Sequence, residues 1–135
     1  MKLRLWLMLL IASIFVLNCG EKEIQSIELK DAIFRAEGNH PSWKLEIDSN
    51  DGIHFYSNSE FGKIITSNSK KNILLDIDAT SYHANTDLSE IEVVIFRKQC
   101  LDSKEHKEFK FEVKVATKNK GDENFSNFTG CGEYL

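Results

Sequence analysis

Cysteine and histidine are the side chains of this sequence best suited to chemistry, and their spacing decides what kind. The chain of 135 residues carries three cysteines and four histidines, namely Cys19, Cys100, Cys131, His40, His54, His83 and His106. There is no CxxC pair, and no histidine lies two residues along a strand or four along a helix from another ligand, so the sequence predicts no metal site and no cofactor. The sequence also lacks a Gly-x-Ser-x-Gly motif and a phosphate-binding loop. We therefore expect a protein that is not an enzyme.

A signal-peptide pattern occupies the start of the chain. Lys2 and Arg4 supply positive charge, and residues 5–17 form an uncharged, largely apolar run. Thirteen residues suit a signal peptide and fall short of the roughly 20 that span a bilayer. The run ends at Asn18-Cys19-Gly20, which resembles the lipobox of bacterial lipoproteins, although Asn18 replaces the usual small residue. The alternative is an ordinary secretory signal, but no Ala-x-Ala arrangement closely precedes the cysteine.

The lipobox resemblance divides the chain into three parts. It implies a signal peptide over residues 1–18, lipidation of Cys19, and a tether over residues 19–30 that leads to a domain over residues 31–135. The membrane is then a partner through the lipid anchor, since two or three acyl chains attach a protein stably. The implied location is the bacterial cell envelope. Gly20 follows the cysteine where an Asp would signal inner-membrane retention, so the outer membrane is favoured.

The cysteine count agrees with this division. If Cys19 carries lipid, Cys100 and Cys131 remain as an even pair in an oxidising compartment, which predicts a structural disulfide between them. A metal pair or a catalytic thiol are the alternatives, and no neighbouring residues favour either.

Charge excludes some partners. The formal net charge is -4, and removal of Lys2 and Arg4 with the signal peptide leaves 15 basic against 21 acidic residues, a charge of -6. An acidic domain gains nothing from polyanions, so nucleic acid is excluded as an expected partner, as is an electrostatic contact with anionic lipid.

The elements that must position these residues are predicted by alternation of apolar and polar residues with period two, which is typical of half-buried strands. Eight such segments occur, near residues 33–38, 43–48, 53–56, 62–66, 72–78, 91–96, 109–115 and 125–132. Residues 82–88 read as a polar connection, and residues 101–107 break the pattern, so any short helical turn should lie there. The predicted fold is all-β, a small antiparallel barrel or sandwich of seven or eight strands closed by one disulfide.

Three short motifs resemble a family of uncharacterised bacterial envelope β-domains. They are Phe34-Arg-Ala-Glu-Gly-Asn-His-Pro-Ser-Trp43, Cys100-Leu101-Asp102 and Gly130-Cys131-Gly132, which are similar to an F-x-A-x-G-N-x-P-x-W … C-x-D … G-C-G pattern. His40 stands where the family usually has Glu. The resemblance covers roughly residues 33–132 and implies no catalytic residues. Members are commonly found alongside secreted domains of the lysozyme-inhibitor type.

Two loops are the candidate binding elements, because loops carry specificity on β scaffolds. One contains Asn39, His40 and Trp43, and the other contains Asp102 within residues 101–107. The competing interpretation of the first loop is geometric, with Trp43 as a core anchor in phase with the following strand. The predicted function is non-enzymatic binding at the cell envelope, with lysozyme inhibition or adhesion to host matrix as alternatives.

Overall fold

The computed structural model describes residues 31–59 and 62–135, so the predicted signal peptide, Cys19 and the tether lie outside the described residues. The described residues contain eleven strands and one 3-10 turn. They are β1 (Ala32–Gly38), β2 (Trp43–Asp48), β3 (Ile53–Ser57), β4 (Lys63–Ile65), β5 (Lys70–Leu74), the 3-10 turn (Leu75–Ile77), β6 (Ala79–Asn85), β7 (Ser89–Phe96), β8 (Cys100–Leu101), β9 (Glu108–Phe109), β10 (Phe111–Asn119) and β11 (Ser126–Tyr134).

The strands of the described chain form two sheets. Nine of them make one antiparallel sheet in the order β4-β3-β2-β1-β11-β10-β7-β6-β5, while β8 and β9 pair with each other. The large sheet curls into a half-barrel whose concave side holds the core. The all-β fold class and the Cys100–Cys131 disulfide are thereby confirmed.

Alternation places one face of each strand in the core. Trp43 of β2, Phe55 of β3 and Phe128 of β11 are buried there, with ring centroids of Phe55 and Phe128 5.2 Å apart. The chain packs closely at Gly130, where an added Cβ would lie 2.7 Å from Trp43 Cζ2 and would collide with the Glu37 backbone. A side chain at position 130 would therefore displace the central tryptophan.

The two ends of the half-barrel differ in what they carry. The end that we call the base contains the start of β1 and the end of β11, because Phe34 pairs with Tyr134. It also contains the end of β7 and the start of β6, because Phe96 pairs with Ala79. At the top lie the β1–β2, β6–β7 and β10–β11 connections. The chain thus enters the fold from residue 31 at the base.

A short hairpin covers part of the convex side. Residues 99–110, here called the strap, contain β8 and β9 and connect the base ends of β7 and β10. Cys131 of β11 lies on the convex side, between Glu37 and Glu112 of the neighbouring strands. Its bond to Cys100, with Cα atoms 5.5 Å apart, ties the strap to the outside of the sheet. The disulfide therefore fixes the strap, and it does not join the edges of the barrel.

Three sequence predictions were wrong in their details. Residues 82–88 were predicted as a polar connection, but residues 79–85 form β6, with Tyr82 and Ala84 buried in the core. The strand predicted over 72–78 ends at Leu74, where the 3-10 turn begins. Residues 101–107 were the predicted place for a helical turn, and they instead form β8 and a tight turn.

Candidate functional site: the loop surface at the top

The two predicted binding loops lie side by side. The first is the β1–β2 connection at the top of the half-barrel, and the second is the tip of the strap, which crosses the convex side to reach it. Asn39 Nδ2 donates a hydrogen bond to Asp102 Oδ1 over 3.3 Å, although the two residues are 63 positions apart. The fold therefore joins both loops into one surface.

Asp102 holds the strap tip in its shape. Its Oδ2 accepts a hydrogen bond from the backbone N–H of Glu105 over 2.9 Å. The backbone N–H of Asp102 donates to Lys107, and its backbone oxygen accepts from His106. Both carboxylate oxygens already have partners and the residue is buried, so Asp102 positions the loop and leaves ligand contact to its neighbours.

Trp43 belongs to the core and not to the surface. Its side chain is 1% exposed and packs against Phe55 and Phe128, so its inclusion among the candidate binding residues was wrong. The geometric interpretation of this loop explains Trp43, because the residue is in phase with the buried positions Leu45 and Ile47 of β2.

The residues of the loop surface that can meet a ligand are Asn39, His40, Pro41, Ser103 and Lys104. They line a shallow depression of about 530 Å³. His40 is exposed and adopts φ 71°, a conformation that Asn or Gly adopt most readily. A second depression of about 300 Å³ continues from Asn39 past the disulfide to Gln99 and Thr129. These residues offer a ligand both hydrogen-bond donors and acceptors, together with the positive charge of Lys104.

A charged groove on the convex side was not found from the sequence. It lies between the strap and strands β1 and β2, and Arg35 Nε donates to Glu46 Oε2 over 3.2 Å within it. Glu46 is 5% exposed. The burial of the neighbouring Tyr56 and, to a smaller extent, the charge of Glu46 raise the pKa of Tyr56. The sequence did contain a pattern that could indicate this groove, because Arg35 and Glu46 occupy outward positions of two consecutive strands with alternating apolar and polar residues. Their register, which pairs them directly, could not be derived from the sequence.

Asp48 closes the β2–β3 turn. Its Oδ1 accepts hydrogen bonds from the backbone N–H groups of Asn50 and Gly52, each over 2.9 Å, and its Oδ2 lies 3.2 Å from His54 Nε2. Burial opposes ionisation of this carboxyl, but the hydrogen bonds and the histidine outweigh it and lower the pKa of Asp48. The role of Asp48 is structural.

Neither a metal-binding cluster nor a membrane-spanning helix occurs in the described residues. Within residues 31–59 and 62–135, no three His, Cys, Asp or Glu side chains are grouped so that they could hold a metal ion. No helix in that part of the chain is long and apolar enough to cross a membrane.

Comparison with known proteins found no family model, no curated protein and no solved structure that matches the chain. The motif resemblance to envelope β-domains therefore remains a prediction. What the chain can do must be argued from its own residues.

Proposed function

We propose that this chain is a bacterial envelope lipoprotein, anchored in the outer membrane through lipid on Cys19, whose half-barrel is a non-enzymatic binding module. The observation that carries the binding role is the Asn39–Asp102 hydrogen bond, because it unites two distant loops into one exposed surface. The disulfide fixes the strap that supplies half of that surface. A preorganised surface loses less conformational entropy on binding than mobile loops would.

The anchor is supported by the arrangement of the first nineteen residues and by the disulfide, which leaves Cys19 as the remaining cysteine. Growth of producing cells with labelled palmitate tests it. Label should enter the unsubstituted protein and the Cys100→Ala/Cys131→Ala variant, and should be lost from Cys19→Ala. Label that persists in Cys19→Ala would contradict the anchor.

The charge of the domain favours a basic protein as its partner. Lysozyme is the candidate of this kind whose inhibition can be assayed directly. The predicted mature charge is -6, and a basic partner would be attracted to it over a Debye length of about 8 Å at physiological salt. Glu105 is exposed beside the loop surface, next to Ser103 and Lys104, and supplies a local negative charge.

Inhibition of chicken-type lysozyme tests this partner. The purified chain should slow lysis of bacterial cell walls, and the variant His40→Asn/Glu105→Gln should slow it less, since both changes lie on or beside the loop surface. His40→Asn keeps a residue that tolerates positive φ. Asp76→Asn is the matched control, because it removes one exposed negative charge at the base. Undiminished lysis with the unsubstituted chain would contradict lysozyme as the partner, and an equal effect of Asp76→Asn would contradict the loop surface as its contact.

A further inference from the structure

Exposed apolar side chains are concentrated at the base of the half-barrel. Nine large apolar residues are exposed in the described part of the chain, and six of them lie at this end: Ile65, Ile73, Leu75, Ile77, Tyr134 and Leu135. Leu88 and Phe125 lie at the top, and Leu101 lies on the strap. Five of the six, Ile73, Leu75, Ile77, Tyr134 and Leu135, are here called the apolar rim. Such clustering marks an interaction site, whereas scattered apolar residues need no explanation.

The apolar rim is exposed because the half-barrel is open beside β5. Lys71 of β5 pairs with the buried Tyr82, and Ile73 follows two residues later on the same, core-facing side of the strand. Ile73 is nevertheless 70% exposed and Leu75 is 88% exposed. Within the described residues β5 pairs with β6 alone, so β5 is an edge strand of the sheet.

Three residues of the apolar rim line a cavity of about 250 Å³ that extends to the core residue Ile95. Ile73, Leu75, Phe111 and Tyr134 line the cavity, and the Tyr134 ring lies 5.0 Å from that of Phe111. Arg97 also lines it, with most of its side chain exposed. Arg97 next to exposed Leu and Ile suits a membrane interface, where the long stem of the side chain stays apolar and its charged tip reaches water.

The chain that leads to the predicted anchor leaves the domain beside the apolar rim. β1 begins at Ala32, and the backbone N–H of Leu135 donates to the oxygen of the adjacent Ile33. Eleven residues, 20–30, lie between Cys19 and the start of the domain at residue 31, and the twelve steps from Cys19 to residue 31 can span at most about 43 Å. The base is therefore the end of the domain that lies nearest to Cys19 along the chain.

We propose that the apolar rim contacts the membrane surface to which Cys19 is attached, so that the base faces the lipid and the loop surface faces away from it. This inference rests on the lipid anchor of the proposed function. Asp76 and Asp78 flank Ile77 in the same turn and limit the contact to headgroup depth, because carboxylates are costly in hydrocarbon. Membrane contact at the base would leave His40 and the strap tip free for a partner.

Fluorescence quenching by brominated lipid tests the orientation. The acylated mature protein, extracted from membranes, is reconstituted into phosphatidylcholine vesicles with and without brominated acyl chains. Leu75→Trp and Leu88→Trp are the matched variants, since both replace an exposed leucine, at the base and at the top respectively. Trp43 is buried and gives a constant background. Leu75→Trp should lose fluorescence in the brominated vesicles, while Leu88→Trp and the unsubstituted protein should not.

Other outcomes overturn the proposal in distinguishable ways. Equal quenching of both variants, or none, in protein whose acylation is verified by mass would overturn the orientation and leave the anchor standing. Shielding of Leu75→Trp from aqueous acrylamide without quenching by bromine would assign the apolar rim to a second copy of the chain. Protein that proves to be unacylated would overturn the anchor and this inference together.

Discussion

Removal of the disulfide should weaken the fold by an amount that follows from the chain it closes. Cys100 and Cys131 are 31 positions apart, and the entropy of closing a segment of that length corresponds to about 3.7 kcal/mol at 25 °C. For a domain of roughly 100 residues, this loss lowers the melting temperature by roughly 15 °C. We expect the free energy of unfolding of Cys100→Ala/Cys131→Ala to fall by this amount, and by slightly more because Cys131 is buried.

Urea unfolding followed by tryptophan fluorescence measures the effect. Trp6 lies in the predicted signal peptide, so Trp43 in the core reports unfolding of the mature domain. Reduction of the unsubstituted protein should reproduce the loss, since it keeps both sulfur atoms. Leu101→Ala is the control, because its exposed side chain on the same strand should change the free energy of unfolding by less than about 0.5 kcal/mol.

A loss below about 1 kcal/mol on both removal and reduction of the disulfide would refute this reasoning. It would mean that contacts between the strap and the sheet hold the folded strap without the covalent bond, or that the unfolded chain is already restricted in this segment. The strap would then also keep its place in the absence of the disulfide.

Three further substitutions test the packing, the turn and the loop surface. Gly130→Ala should cost about 3 kcal/mol or more in the free energy of unfolding, because the added methyl group meets Trp43; a urea transition close to that of the unsubstituted protein would contradict this. The lowered pKa of Asp48 means that its carboxylate stabilises the fold above pH 3.8 and that this contribution is lost as the pH falls through the folded-state pKa. The melting temperature of Asp48→Asn should accordingly fall less between neutral pH and pH about 3 than that of the unsubstituted protein, and an equal fall would count against the assignment. Asn39→Ala leaves the buried carboxylate of Asp102 without one donor and should cost about 1 kcal/mol in urea unfolding, whereas no loss would show that the two loops are held together by other contacts.

Strands with strong alternation could be predicted from the sequence, because their inward residues are large and apolar. β2, with Trp43, Leu45 and Ile47 buried, and β10 are examples. β6 was missed because its core-facing residues include the small Ala84 and because the buried Ser81 is polar, so the alternation of apolar and polar residues is weak. β5 gave the opposite error, since the apolar Leu75 suggested a longer strand, yet this side chain is exposed at the open edge.

The two loops of the candidate site could be predicted from the sequence, but not which of their residues are exposed. The sequence indicated both loops, and it could not show that Asn39 would bond to Asp102, since that contact depends on the path of the strap across the convex side. Trp43 was ambiguous for a physical reason, because an aromatic residue that follows a Gly-Asn-His-Pro loop can point to either side of the sheet. The pairing of β2 with β1 and β3 decides that it points inward.

Intact mass of the protein extracted from membranes tests the central claim most directly. We expect a chain that lacks residues 1–18, carries two or three acyl chains at Cys19 and retains the disulfide between Cys100 and Cys131. A chain that retains residues 1–18, or one that begins at Cys19 without added lipid, would contradict it.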